Sequence, residues 1–318
     1  MPATPNAPRC NAVEEPAVVE SVMANPSGSG SERAAAPVAA ILLRSRAPDL
    51  TAGEGACCVR AGTDAARRRR EQDGGMDLHL TARRALVTGA AGGIGRAAVR
   101  ALAAEGARTG GVDLDPRVRE VGAPGVVADL TDADAAAAAV DACAREVGGL
   151  DVLVLAAGIS GPVGTPLAET SVADWERVFA VNVTGAFLAL RAALPWLRRS
   201  DAASVVIVAS DSALVATPGM VPYGASKAAL LQLARAAAVE LAPEGIRVNA
   251  VCPSIVDTPM SRGDLGMPSG FADAEYPVQT PAEVADQIVL LASPRLRPVS
   301  AATWVSDFGV SARSGFPA

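Results

Sequence analysis

A doubly wound α/β domain, in which helices cover both faces of a parallel sheet of about seven strands, is the fold class that the sequence predicts. Three observations predict it. From Met76 onward, short apolar runs of Val, Leu and Ala alternate with Ala/Arg/Glu-rich stretches of helical length. The apolar runs are continuous rather than alternating, as strands covered on both faces must be. A glycine-rich turn also separates the first apolar run from the first helical stretch, where a strand of such a sheet enters its helix.

Taken in order, strands are expected at residues 84–88, 108–113, 125–128, 151–156, 204–209, 246–251 and 302–306. Helices are expected at residues 94–105, 132–147, 172–199, 221–241 and 281–292. Each predicted strand is too short and too uniformly apolar to be half exposed. The segment 260–278 is rich in Gly, Pro and Ser and has no regular period. It reads either as a mobile lid over a substrate or as a surface loop, and its length favours a role.

Half of the 318 residues are apolar, enough for a sizeable core, but they are unevenly spread. Residues 1–75 form a Pro/Ala/Ser/Arg-rich mixture and read as a disordered or non-native N-terminal extension; residues 76–318 read as one domain. The extension holds nine Arg against nine Asp and Glu, so the net charge of −6 belongs to the domain. That balance argues against a nucleic-acid partner, Arg67 to Arg70 being the only basic run. The apolar stretch 34–43 is too short to cross a bilayer, so no membrane association is expected. Only Cys143 and Cys252 fall in the domain, at no metal-binding or disulfide spacing. No metal and a reducing, cytoplasmic location are therefore expected. The single histidine, His79, precedes the first strand, which excludes histidine-based acid–base chemistry.

Thr88-Gly89-Ala90-Ala91-Gly92-Gly93-Ile94-Gly95 occupies the first strand-to-helix turn. Glycines there let the backbone approach a pyrophosphate, and the helix N-terminus offers it free N–H groups and the positive end of a dipole. Asp113 ends the second strand, 18 residues past Gly95, close to the separation expected of an acid that binds the adenosine ribose. A carboxylate there accepts hydrogen bonds from ribose hydroxyls and repels a 2′-phosphate, which favours NAD over NADP. Asp129-Leu130 follows the third strand and is placed near the adenine, although an Asp in that position is also an ordinary N-cap.

Tyr223-Gly-Ala-Ser-Lys227 opens a long helix, and a spacing of four puts the phenol and the ammonium on one face. Lys227 is the only lysine in the chain, against 27 arginines, and a guanidinium cannot imitate its compact charge. A nearby ammonium is expected to lower the pKa of Tyr223 toward working pH, as proton transfer requires. Ser210, 13 residues upstream at the end of the fifth strand, can hydrogen-bond a substrate oxygen; Ser212 competes for that role. Asn182 interrupts an apolar helical stretch, where it is unfavourable without a reason.

With these residues in place, the chain resembles the short-chain dehydrogenase/reductase family in its compact, single-domain branch, a Rossmann-type fold. The resemblance spans about Thr81 to Gly309 and rests on Thr88-Gly89-x-x-x-Gly93-x-Gly95, the Asn182 segment, Ser210, Tyr223-x-x-x-Lys227, and Val-Asn-Ala-Val-Cys-Pro-Ser before Thr258-Pro259-Met260. It implies a catalytic tetrad of Asn182, Ser210, Tyr223 and Lys227, with Lys227 also binding the nicotinamide ribose and Asn182 holding a relay water. It further implies cofactor contacts from Gly89, Gly93, Ile94, Gly95, Asp113, Asp129, Leu130, Gly158, Tyr223 and Lys227, with Pro253 to Thr258 passing the nicotinamide. The activity implied is hydride transfer between NAD(H) and a secondary alcohol or ketone, in a homodimer or homotetramer built through the long helices around Asn182 and Tyr223. An NADP(H)-dependent ketoreductase and a non-catalytic dinucleotide sensor on the same fold are the alternatives. Two positions depart from the family pattern. Leu155-Ala156-Ala157-Gly158 stands where Asn-Asn-Ala-Gly is usual, and Pro253-Ser254 stands where Pro-Gly is usual. Small or apolar pocket candidates, Ile159, Ala213, Met220 and Ser254, suggest an uncharged substrate.

Overall fold

The computed structural model describes residues 76–313, so the expectation for residues 1–75 lies outside the described part of the chain. Among the described residues, seven strands form one parallel sheet. They are β1 (Arg84–Thr88), β2 (Arg108–Asp113), β3 (Gly125–Val127), β4 (Val152–Leu155), β5 (Ser204–Val208), β6 (Arg247–Pro253) and β7 (Thr303–Ser306). Their spatial order is β3-β2-β1-β4-β5-β6-β7, and every neighbouring pair is parallel. The chain therefore winds outward from β1 in one direction and from β4 in the other. Between the carboxyl ends of these two strands lies the crevice in which such sheets bind ligands.

The helices are α1 (Gly93–Ala104), α2 (Ala133–Val147), α3 (Val172–Phe179), α4 (Gly185–Leu197), α5 (Val221–Leu241), α6 (Pro259–Asp264) and α7 (Pro281–Ala292). Successive strand residues point to opposite faces, so each strand feeds two cores. Ala85, Val87, Val154, Val206 and Val208 pack with α1 and α7. Leu86, Leu153, Val205, Ile207 and Ala250 pack with α2, α4 and α5. Each fully buried Leu or Ile contributes roughly 1.5–3 kcal/mol by leaving water, which is what holds the helices to the sheet. At the amino end of the sheet, away from the crevice, Asp151 accepts bonds from the Arg84 backbone N–H at 2.8 Å and the Arg84 guanidinium at 2.7 Å, joining β1 to β4.

Three expectations need correction. The single helix expected over 172–199 is broken: between α3 and α4 the backbone widens into a five-residue π-helical turn, Ala180–Thr184, which carries Asn182. The segment 260–278 is not wholly irregular, since it begins with α6. Pro259 at the first turn and a capping box between Thr258 and Ser261 start that helix, and its six residues are too few to show a period. The expectation that every strand is buried on both faces fails at β7, an edge strand whose Trp304 and Val305 are exposed. The stretch Val172–Leu197 is long and apolar enough to cross a membrane by length and composition alone. Its apolarity is accounted for by packing, because Ala186, Ala189, Leu190, Ala193 and Leu197 lie in the core against α2 and β4.

Candidate active site

The glycine turn sits at the carboxyl end of β1 and feeds α1. Gly89 has φ +67°, a left-handed value, and a side chain there would run into the backbone of Ala156 and Ala157 at under 3 Å. A Cβ on Gly95 would stand 2.1 Å from the Gly89 carbonyl oxygen, so the turn closes this tightly only with hydrogen at both places. Gly92 caps α1 without any side-chain hydrogen bond, so no side chain of the cap competes for the N–H groups of the first turn. This arrangement fits a dinucleotide pyrophosphate. Ile94, in the first turn of α1, packs partly buried against the core.

Asp113 closes β2 beside this turn. Its Oδ2 accepts from the Ala91 N–H and its Oδ1 from the Asp115 N–H, both at 2.9 Å, which fixes the carboxylate while leaving lone pairs for ribose hydroxyls. Asp129 does not cap the following helix: Asp132 does, accepting from the Asp134 and Ala135 N–H groups. Asp129 instead accepts from the backbone and hydroxyl of Thr131, which hold its carboxyl below the usual range. Leu130 is buried in the core under Gly185 of α4. Pro253 ends β6, and Thr258 presses its methyl against Gly93, so the start of α6 rests on the glycine turn.

Asn182, Ser210, Tyr223 and Lys227 converge at the carboxyl ends of β4 and β5. Asn182 is fully buried; its Oδ1 accepts from the Ile159 N–H at 2.8 Å. Its Nδ2 donates to the Ile159 carbonyl at 3.0 Å and the Ser226 hydroxyl at 2.9 Å. That is the reason for an Asn inside an apolar helix: it ties the loop after β4 to α5, and the π turn gives it the room. Gly158 leaves the space between Asn182 and Lys227; a Cβ there would come within 3.2 Å of the Asn182 Oδ1 and 3.5 Å of the Lys227 Nζ.

Of the two serine candidates, Ser210 is the one whose hydroxyl lies close enough to the Tyr223 phenol to favour its ionisation. Its Oγ also accepts from the Ser212 N–H at 3.1 Å and donates to the Asp211 carboxylate at 2.9 Å. Lys227 is buried, donates to the Val208 carbonyl at 3.0 Å, and stands 5.6 Å from the centre of the Tyr223 ring. The expectation that Lys227 lowers the Tyr223 pKa is corrected here. Burial pushes the phenol up to about 12; the nearby Ser210 hydroxyl opposes that rise, and the carboxylates of Asp211 and Asp264 add to it. Burial likewise pushes the Lys227 ammonium down to about 8. The ammonium lies behind the ring, and desolvation outweighs its attraction.

The sequence reading missed Ser226, Asp211, Ser160 and Asp264. Ser226 lies inside the Tyr223-to-Lys227 motif, and its hydroxyl donates to the Tyr223 carbonyl at 2.7 Å. The other three carried no signal, because only the fold brings them together. An open cleft of about 530 Å³ between α1 and α7, lined by Arg96, Arg100, Thr280 and Asp286 among others, touches the glycine turn at Gly93 but none of the four converging side chains.

Residues 89–311 match a family model described as enoyl-(acyl carrier protein) reductase. The chain is 39% identical over 240 residues to cis-4-hydroxycyclohexanecarboxylate dehydrogenase of Sinomonas cyclohexanicum, covering 72% of this chain and 96% of that protein. It is 34% identical over 249 residues to D-threitol dehydrogenase of Mycolicibacterium smegmatis, covering 74% of this chain and 95% of that protein. Among solved structures it resembles ligand-free aldohexose dehydrogenase of Thermoplasma acidophilum, at a TM-score of 0.69 and 29% identity over 75% of this chain and 98% of that one. With a seven-stranded sheet of matching fold, a family model over most of its length and relatives that are dehydrogenases, the chain belongs to the short-chain dehydrogenase/reductase family.

Proposed function

We propose that this NAD(P)-linked alcohol oxidoreductase uses NAD(H) and converts a secondary alcohol to a ketone, or the reverse, with Tyr223 exchanging the proton. The observation that carries the reading is the convergence of Ser210, Tyr223 and Lys227 at the sheet end that also holds the glycine turn. Gly89, Gly93 and Gly95 would hold the pyrophosphate, Asp113 the adenosine ribose, and Lys227 the nicotinamide ribose. The cofactor, when bound, accepts or returns the hydride. Ser210 steadies the substrate oxygen as it passes between carbinol and carbonyl. The Tyr223 oxygen receives or delivers that oxygen's proton. Lys227, fixed on the Val208 carbonyl, favours the phenolate when the proton leaves, and Asn182 keeps the loop after β4 in register with Tyr223.

Asp113 supports NAD over NADP, because a 2′-phosphate would meet a carboxylate already held by two backbone N–H groups. Buried free thiols at Cys143 and Cys252 support a reducing, cytoplasmic location. Exposed Val172, Trp175 and Phe187 on α3 and α4, with Val239 on α5, support a homodimer or homotetramer built through these helices.

A panel of secondary alcohols and ketones, read by nicotinamide absorbance with NAD(H) and NADP(H) in parallel, tests the reading. Turnover of a carbinol or ketone is expected, at least tenfold faster with NAD(H). Reduction of an enoyl thioester in place of any carbonyl would sink the alcohol reading, and equal rates with both cofactors would sink the NAD assignment.

A further inference from the structure

Asp264, the last residue of α6, is placed where a carboxylate is costly. It stands at the helix end where the dipole disfavours negative charge, and it is partly buried. Its one hydrogen-bond donor among the described residues is the Ser160 hydroxyl, 2.9 Å from Oδ1. No described cation pairs with it, although arginines are abundant in this chain; the nearby Arg262 is taken by Asp257 instead. Burial accordingly raises the Asp264 carboxyl above the usual range. An acid so placed opposes stability, which makes a role outside folding the economical explanation.

The position supplies that role. Asp264 is close enough to Tyr223 for its charge to oppose ionisation of the phenol. Ser160 follows Ile159, whose backbone N–H and carbonyl are both held by Asn182. The carboxylate is thus pinned, through Ser160, to the same loop that Asn182 fixes beside Tyr223. It is therefore tied to the loop that runs beside the phenol, within electrostatic reach of Tyr223. Oδ2 has no partner among the described groups, so it is free to accept a bond from a substrate.

We infer that Asp264, oriented by Ser160, is a specificity residue that accepts a hydrogen bond from a second hydroxyl on a carbon near the reacting carbinol, so that the substrate class is a diol or polyol rather than a simple secondary alcohol. This rests on the alcohol-oxidation reading above. A hydroxyl suits an acid with a raised pKa, because it donates to the carboxylate and can accept from the protonated acid.

The test compares kcat/KM with NAD+ for vicinal diols and tetritols against matched secondary mono-alcohols. Wild type is expected to favour the diols at least tenfold, since a site built to bond a hydroxyl rejects the analogue that lacks it. In Asp264→Ala that preference ratio is expected to fall at least tenfold, with NADH binding by fluorescence confirming an intact fold. Should Asp264→Ala fail to bind NADH, Asp264→Asn decides, with at least a threefold fall in the same ratio expected. A wild type with no diol preference, or a ratio unchanged in the folded variant, overturns the inference and leaves the alcohol reading standing. A preference for the matching amino alcohol over the diol also overturns it, by assigning Asp264 to an ammonium. Inertness toward both alcohols and diols would sink the parent reading instead.

Discussion

Tyr223 and Lys227 illustrate how two residues one helical turn apart acquire properties that neither has in water. The phenol, at about 12, rests protonated, and the ammonium, lowered by burial to about 8, loses its proton well below the ordinary lysine value. The resting protonation suits Tyr223 as the acid of carbonyl reduction; oxidation first requires the phenol to lose its proton. Oxidation is therefore expected to gain about tenfold in kcat/KM per pH unit below the phenol's pKa, while reduction stays flat there and declines above it. Tyr223→Phe is expected to lower turnover by about 10²- to 10⁴-fold in both directions, with the dissociation constant of NADH changed by less than about threefold. Stopped-flow turnover and fluorescence titration across pH measure both, and near-normal turnover in Tyr223→Phe would remove Tyr223 from the chemistry.

At the scale of the element, the glycine turn, the π turn and α6 do what single side chains cannot. The turn between β1 and α1 exists because Gly95 and Gly89 let two stretches of backbone touch, with no rotamer available to relieve a clash. Gly95→Ala is expected to weaken NADH binding at least tenfold and to lower the unfolding midpoint, since the added methyl meets a carbonyl oxygen and backbone must move. Isothermal titration and thermal melts check this, and unchanged binding would mean that the turn does not seat the cofactor. The π turn widens the helix so that Asn182 reaches both the loop after β4 and Ser226. The methyl of Thr258 on Gly93 ties the beginning of α6 to the cofactor turn, while Asp264 at its end reaches Ser160.

Across the whole molecule, two cores and a few buried ionisable groups govern how stability responds to pH. Cys143, buried between α2 and β2, is pushed up to about 12 from an ordinary 9.0, and Cys252 up to about 11. With folded values above the unfolded ones, the native state holds protons that the unfolded chain has released, so their stabilisation is full below pH 9 and is lost as pH rises through the folded values. Tyr223 adds a loss of the same sign from pH 10 toward 12. Lys227 has the opposite sign: its burial penalises the ammonium below about 8, and this penalty is relieved as pH rises toward 10.5. Stability is expected to increase slightly from pH 8 to 9 and to decline above it. Each linked proton changes the slope by about 1.4 kcal/mol per pH unit. Cys143→Ala is expected to cost about 1 kcal/mol at pH 7 and to make the alkaline decline shallower by one such proton. Urea unfolding at a series of pH values measures this, and a slope identical to wild type would discharge Cys143 from the effect.

By itself the sequence determined the sheet, the order of its strands along the chain and the glycine turn, and it pointed to Asn182, Ser210, Tyr223 and Lys227 as candidates, which the fold brings together. These are local facts: runs of apolar residues, a turn that only glycine allows, and a four-residue spacing on one helix face. The tertiary structure decided what depends on residues distant in the chain. It set Ser210 rather than Ser212 near the Tyr223 phenol, placed the Lys227 ammonium over the phenol ring, capped the helix after β3 with Asp132, and broke the helix at Asn182. It also joined Ser160 to Asp264, 104 residues apart, beside Tyr223. Burial and long-range contact set pKa values and hydrogen-bond partners, and neither is written in the spacing of residues along a chain.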